Sequence, residues 1–407
     1  MSLLPVSTAL SRLLERANPT EDRESVSLHD AVGRVLADDV AARLTQPPFD
    51  ASAMDGYALR GADIAAVGAE LRVIGESAAG HGFPGTVAEG EAVRIFTGAP
   101  VPEGADTVML QEDAEVIGEG RIRSNFATPT GRHIRPRGQD FTLGEVVLEA
   151  ERQIDFASVL VAAGMNHGTL PVWRQPVVAI IATGDELATP GSEPGPNQII
   201  ASSTFAVAAL ARQSGARVID LGIVPDRKEA ISLAVAESRA QRADVLVTLG
   251  GASVGDHDLV QATLTVAGME LDFWKIAMRP GKPLMVGNLG PMHVLGLPGN
   301  PVSSMVCALL FMEPLLRKLG HLPSSRREVM ATTVSALPAN DHRQDYVRAR
   351  LLREASGKLS VESYGRQDSS LMKQFSQSDC LIIRPPHAPE LPAGMQCPVL
   401  LLHPERF

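Results

Sequence analysis

Between Trp173 and Leu319 the sequence repeats one arrangement three times: an apolar run long enough for a buried strand, then a turn rich in glycine or proline, then a helical stretch. Residues 177–182 lead into Thr183-Gly184-Asp185-Glu186-Leu187, and residues 244–249 into Gly250-Gly251-Ala252-Ser253-Val254-Gly255. Residues 293–297 lead into Pro298-Gly299-Asn300-Pro301-Val302-Ser303-Ser304. Continuous apolar strands are buried on both faces, and helices between them supply the cover, so the pattern predicts a doubly wound, mostly parallel α/β domain. Right-handed crossovers then place all three turns on one edge of the sheet, where such folds bind ligands. Further strands are expected at 217–224 and 271–278. Helices are expected at 203–213, after Asp226 with Glu229 as a capping pair, and at 302–319.

The flanking chain has a different texture. Leu10, Leu13 and Leu14 recur at helical spacing, so the first residues read as helical pieces. Short β-type runs at 71–74, 92–96, 107–110 and 115–117, broken by Gly, Pro and Asn, predict a small β module over 47–140. A helix is expected from Asp155, with Phe156, Val159, Leu160 and Ala163 on its packed face. If the β module is an insertion, residues 1–46 fold together with 141–172 as one discontinuous helical, elongated domain. The α/β domain then spans 173–326. Runs at 328–334, 346–352, 358–363, 380–384 and 399–402 predict a separate small β-barrel or sandwich over 327–407.

Composition excludes several classes. A net charge of −10 and only 4% aromatic residues disfavour a nucleic-acid binder with a basic, ring-stacking face. No apolar run reaches the roughly 18 residues of a membrane span, and residues 1–19 carry no secretory pattern. Cys307, Cys380 and Cys397 have no CxxC spacing, which argues for reduced thiols in a cytoplasmic protein without a zinc or disulfide frame. The glycine turns match neither the dinucleotide fingerprint nor the P-loop, against an ordinary NAD enzyme or P-loop NTPase.

Charge collects near the turns. Backbone N–H groups in glycine turns, followed by helix starts, suit phosphate. Asp185 and Glu186, with Asp256 and Asp258, suit Mg²⁺ beside a phosphate, although on spacing alone Asp256 and Asp258 suit the role of helix caps better. Lys275, Arg279 and Lys282 form a cationic group fit for an anion, or a solvated surface set. Phe49-Asp50-Ala51-Ser52-Ala53-Met54-Asp55-Gly56-Tyr57-Ala58 joins small residues to two aspartates, as a capped turn or a close approach to a ligand. The histidines show no metal-binding spacing.

Seven ordered motifs tie these pieces together: SAMDGYA at 52–58, RIFTGAPVPEGADTV at 94–108, RPRGQD at 135–140, IATGDEL at 181–187, GGASVGDHD at 250–258, MRPGKP at 278–283 and GLPGNPVSS at 296–304. With them the chain resembles, end to end, the MoeA family, which includes the gephyrin E domain. The resemblance implies a homodimer of four-domain subunits, each with a C-terminal β-barrel, that inserts molybdenum from molybdate into adenylylated molybdopterin with Mg²⁺-assisted release of AMP. Protein partners implied are a molybdopterin adenylyltransferase and the apoproteins of downstream molybdoenzymes. It implies catalytic roles for Asp55, Asp140, Glu186 and Asp258, and metal contacts from Asp185, Glu186, Asp256 and Asp258. Substrate contacts fall to Thr97, Thr183, Gly184, Asp226, Gly250, Gly251, Ser253 and Gly255, and to Lys275, Arg279 and Lys282. Pro298, Gly299, Asn300, Pro301 and Ser303 shape the last turn, and Arg348 and Ser369 are expected to reach a cleft of the facing subunit. Two departures stand out: Ala201 replaces an expected carboxylate, and Gln367-Asp368-Ser369-Ser370 replaces a Ser–His pair. Two alternatives carry over from the same architecture, a non-catalytic scaffold and the preceding adenylyltransferase.

Overall fold

A computed structural model describes residues 3–250, 259–355 and 357–406. Two compact units emerge, Ser25–Val172 and the chain on either side of it. The first helix, α1 (Val6–Glu15), buries Val6, Ala9 and Leu13 in the core of the flanking unit together with Leu315 and Leu316. It therefore does not fold with 141–172, as expected of all of 1–46; its apolar stripe packs on the helices covering the α/β sheet.

Within Ser25–Val172, the helical content expected before residue 46 shrinks to one 3₁₀ turn, Leu28–Asp30. Ala31, Leu36, Val40 and Ala42 nevertheless pack with Phe141, Leu148, Ile154 and Met165, so this stretch does meet the chain beyond the β module. The β module is a six-stranded sheet of β1 (Gly56–Leu59), β2 (Glu70–Ser77), β3 (Glu91–Ile95), β4 (Thr107–Leu110), β5 (Ala114–Gly118) and β6 (Arg121–Ser124), in the order β4-β1-β3-β2-β6-β5. Gly56 is required there: a Cβ on it would lie 1.9 Å from the Met109 carbonyl oxygen. Helix α2 (Phe156–Gly164) starts at Asp155, whose Oδ1 accepts from the Ser158 N–H at 2.7 Å. Its packed face is not the expected one. Small Ser158 and Ala162 are buried, while Phe156 and Leu160 are 84% and 76% exposed.

The other unit holds β7 (Val177–Thr183), α3 (Ser203–Gln213), β8 (Arg217–Val224), α4 (Lys228–Ala240), β9 (Val245–Leu249), α5 (Leu259–Val266), β10 (Glu270–Phe273), β11 (Met285–Leu289) and β12 (Met292–Leu297). Sheet order is β8-β7-β9-β12-β11-β10. The first four strands are mutually parallel, and β11 runs antiparallel to both of its neighbours. The expected strand at 271–278 stops at Phe273, and Met278–Arg279 pairs instead with a strand of the C-terminal barrel. The expected helix at 302–319 is α6 (Pro301–Cys307), a π turn at Ala308–Met312 and α7 (Glu313–Leu319). Pro314 has no N–H for the carbonyl one turn back, which accounts for the widened turn before it.

The barrel comprises β13 (Glu328–Thr333), β14 (Gln344–Arg353), β15 (Leu359–Ser363), β16 (Cys380–Arg384) and β17 (Gln396–Leu401). The order β14-β15-β13-β17-β16 closes through a β14–β16 pairing. Its Tyr346, Leu381 and Leu400 enter the same apolar core as Val178 and Leu297 of the sheet. Arg327 Nε donates to Glu313 Oε2 at 2.7 Å, both side chains nearly buried, and Arg327 Nη1 donates to the Leu401 and Leu402 carbonyls at 3.0 Å. Arg327→Met would strand the Glu313 carboxylate in the interior, and denaturant titration should show a loss of about 3–5 kcal/mol. An unchanged midpoint would mean that water reaches Glu313.

Candidate functional site

Because β8, β7, β9 and β12 share one direction, their C-terminal ends line up on one rim. Asp226 follows β8, Thr183–Glu186 follow β7, Gly250 follows β9 and Pro298–Asn300 follow β12. The turns touch. A Cβ on Gly250, whose φ is +91°, would sit 2.5 Å from the Thr183 carbonyl oxygen, and one on Gly299 would sit 3.9 Å from Gly250 Cα. Gly251, Ser253, Gly255, Asp256 and Asp258 lie outside the described residues.

Two kinds of polar group face this rim without partners. The Thr183 and Thr248 hydroxyls, at the ends of adjacent strands, are buried with no hydrogen-bond partner among the described residues. The backbone N–H groups of Asp185, Glu186, Gly299 and Asn300 likewise have no acceptor among the described residues. Other donors of the expected cradle are already used. Val302 N–H goes to the Ser369 carbonyl at 3.1 Å, Ser304 N–H to Asn300 at 2.9 Å, and Gly250 N–H to Leu297 at 3.4 Å. Ser303 is buried.

Carboxylates occupy one end of the rim. Asp226 was expected to cap α4, but the cap position is Arg227 and Asp226 makes no side-chain cap. Its N–H donates to Asp185 Oδ1 at 3.3 Å. Partial burial, then the nearby Asp185 and Glu186 charges, push the Asp226 carboxyl above the ordinary aspartate range. Crowded carboxylates of this kind suit a divalent cation. Among the described residues, no three His, Cys, Asp or Glu side chains form a metal cage.

Cations occupy the other end. Strand β10 runs in the same direction as β12, so Lys275, just beyond it, belongs to the same edge. Lys275 and Lys282 are exposed and make no ion pair among the described residues; the Lys275 ammonium lies 5.4 Å from the Trp274 ring centre. The segment between them folds back, with Ile276 N–H on the Lys282 carbonyl at 3.0 Å. Arg279 departs from the expected role. Its guanidinium pairs with Asp345 and, at 3.3 Å, Asp341, both from the barrel, beside a cavity of about 510 Å³. With two carboxylates already on it, Arg279 fastens the strand to the barrel.

Arg348 and Ser369 make a connected set of contacts within their own chain. Arg348 is buried, and its N–H and Nε both donate to Gln367 Oε1, at 2.9 and 3.2 Å. Gln367 Nε2 returns to the Arg348 and Tyr364 carbonyls. This clamp holds the departing segment so that Ser369 Oγ accepts from Asn300 Nδ2 at 3.0 Å, within the same chain. Ala201 is buried, its N–H bonded to the Ala188 carbonyl.

In Ser25–Val172, Asp55 Oδ1 accepts from both the N–H and the hydroxyl of Thr97, each at 2.7 Å. Those bonds, the backbone one foremost, hold its carboxyl below the ordinary value of 3.8. Arg94 stacks over Tyr57 and Phe96 and donates to the Gly56 carbonyl. Asp140 lines a cavity of about 480 Å³ with Pro47, Phe49 and Arg135. Since the folded pKa of Asp55 is depressed, its charge favours the fold above the unfolded value and that contribution fades as pH falls through the folded one. Thr97→Val removes only the hydroxyl, so a carbon-detected NMR titration should show Asp55 moving up toward 3.8 without reaching it.

Comparison with known proteins agrees with the geometry. The MoeA N-terminal region (domain I and II) matches residues 4–165, the probable molybdopterin binding domain 179–318 and the MoeA C-terminal region (domain IV) 331–402. The molybdopterin molybdenumtransferase of Haemophilus influenzae is 34% identical, covering 94% of both chains. That of Bacillus subtilis is 32% identical over 99% of this chain and 95% of its own. Two crystal structures of the molybdopterin biosynthesis MoeA protein from Pyrococcus horikoshii superpose with TM-scores of 0.82 and 0.80, at 27% and 26% identity, covering 98% of this chain and 99% and 100% of theirs. Three MoeA-type regions matched in order along most of the chain, and 34% identity over 94% of a molybdopterin molybdenumtransferase, make this chain, with its polarised rim, a member of the MoeA family.

Proposed function

We infer that this protein is a molybdopterin molybdenumtransferase, inserting molybdenum from molybdate into molybdopterin during cofactor biosynthesis. The observation that carries the reading is the polarity of the rim. At roughly 4.8 Å per strand, the five steps from Asp226 to Lys275 span about 24 Å, acidic at one end and cationic at the other. A substrate with a phosphoanhydride at one end and a metal-accepting dithiolene at the other fits that polarity.

The activated form of the substrate is adenylylated molybdopterin, with AMP as leaving group. The N–H groups of Asp185, Glu186, Gly299 and Asn300 and the Thr183 hydroxyl hold its phosphates. Asp185 and Glu186 would hold Mg²⁺ with Asp226 beside them, and the ion when bound would neutralise charge developing on the phosphoanhydride. Lys275 and Lys282 concentrate molybdate beside the dithiolene sulfurs, where charge that was costly to bring together is already compensated. Asp55 stays ionised under Thr97, and Asp55, Thr97 and Asp140 serve the same reaction. Cys307 and Cys380 are buried and their thiols pushed up by desolvation, which makes them unsuited to nucleophilic catalysis.

The same reading extends to organisation. Residues 25–46 with 141–172, the β module 47–140, the α/β portion and the barrel act as the parts of one subunit. The subunit pairs with a second copy through the exposed Phe156 and Leu160 of α2, which one helical turn places side by side. Three unpaired thiols and the absence of a membrane-length helix among the described residues support a cytoplasmic site of action, where an adenylyltransferase would supply the substrate and apo-molybdoenzymes would receive the product.

Purified protein given adenylylated molybdopterin, Mg²⁺ and molybdate should release AMP and activate an apo-molybdoenzyme. Glu186→Gln should lower that turnover about 10- to 100-fold with no change in melting temperature. AMP release indifferent to molybdate would overturn the reading, and AMP transfer from ATP would favour an adenylyltransferase. For assembly, the double variant Phe156→Glu, Leu160→Glu should sediment at half the mass of the wild type. Retention of the full mass would place the interface elsewhere.

A further inference from the structure

The sheet has a second end, and it too carries a cavity. Val177 opens β7, Arg217 opens β8, Asp244 immediately precedes β9 and Met292 opens β12, and all four border a hollow of about 570 Å³. The seven residues of β7 separate it from the Thr183 rim by roughly 20 Å. Its size suits a small metabolite.

Four arginines line it against two aspartates. Arg174 consumes both acids: Nη1 and Nη2 bind the two Asp244 oxygens at 2.9 and 3.0 Å, and Nε binds Asp22 at 3.1 Å. Asp244 additionally accepts the Val177 N–H at 2.7 Å. Three guanidiniums, all of exposed residues, are then left without a counter-charge among the described residues. Arg239 makes one long contact, 3.5 Å to the Ala267 carbonyl, and Arg217 and Arg242 have no side-chain partner among the described residues. Such a concentration is unusual in a chain of net charge −10. Arg242 also holds φ at +55° just beyond the end of α4, a position that glycine or asparagine normally takes. An arginine held at positive φ on the border of a hollow that two other arginines also line is an arrangement for an anion. Leu289 and Met292 give the same hollow an apolar wall.

We propose that this basal cavity binds a small phosphate ester, its phosphate on Arg217, Arg239 and Arg242 and its body against Leu289 and Met292. The site is independent of molybdenum insertion at the rim. Calorimetric titration with phenyl phosphate and, separately, inorganic phosphate tests it. Phenyl phosphate should bind saturably and more tightly than inorganic phosphate. Arg242→Gly, which also relieves the backbone, should weaken binding at least tenfold while melting at or above the wild-type temperature, and Arg217→Gln should do the same without altering molybdenum insertion. Wild-type affinity in both variants, or loss of binding in Lys275→Ala with Lys282→Ala instead, would overturn the proposal. Equal affinity for the two probes would overturn the ester as ligand.

Discussion

Four adjacent strands, β8, β7, β9 and β12, run the same way, and the rest of the unit depends on that shared direction. It brings turns from residues 183–187, 250 and 298–300 within touching distance, although more than a hundred positions separate the first from the last. It also sorts the charged residues by strand position: a carboxylate after β8 lies at one end, and a lysine after β10 at the other. The antiparallel β11 restores the direction of β10, and without that reversal Lys275 would lie at the opposite edge.

Much of this was legible in the sequence. Runs of Val, Ile and Leu too continuous for a half-exposed strand announced the buried sheet, and the motif order announced the family. What stayed hidden depended on partners distant in the chain. Arg279 sits in a cationic motif, yet its carboxylates, Asp341 and Asp345, come from the barrel more than sixty positions on. Strand β11, which contains Gly287 and Asn288, is not among the strands expected from the sequence, because its strand character comes from its hairpin partner. In α2 the large apolar residues suggested the packed face, whereas small residues allowed the closer approach and were the ones buried. Asp226 resembled a helix cap because spacing cannot reveal that two other carboxylates crowd it.

The two departures from the family pattern have physical accommodations. Gln367 is a good clamp for a buried arginine, since its amide oxygen takes two donations from Arg348 while its nitrogen returns two. The loop beyond it still reaches Asn300. Ala201 sits in a buried backbone-paired position where an unpaired carboxylate would be costly, and the acidic end of the rim is assembled from Asp185, Glu186 and Asp226.

The shared core of sheet and barrel bears on how this architecture can be taken apart. Tyr346, Leu381 and Leu400 are wedged among sheet residues, and Ser369 supplies the carbonyl on which the Val302 amide rests. A fragment cut after residue 326 would bare that apolar seam and loosen the last rim turn in one stroke. Anyone transplanting specificity between relatives should therefore move sheet and barrel as a single graft.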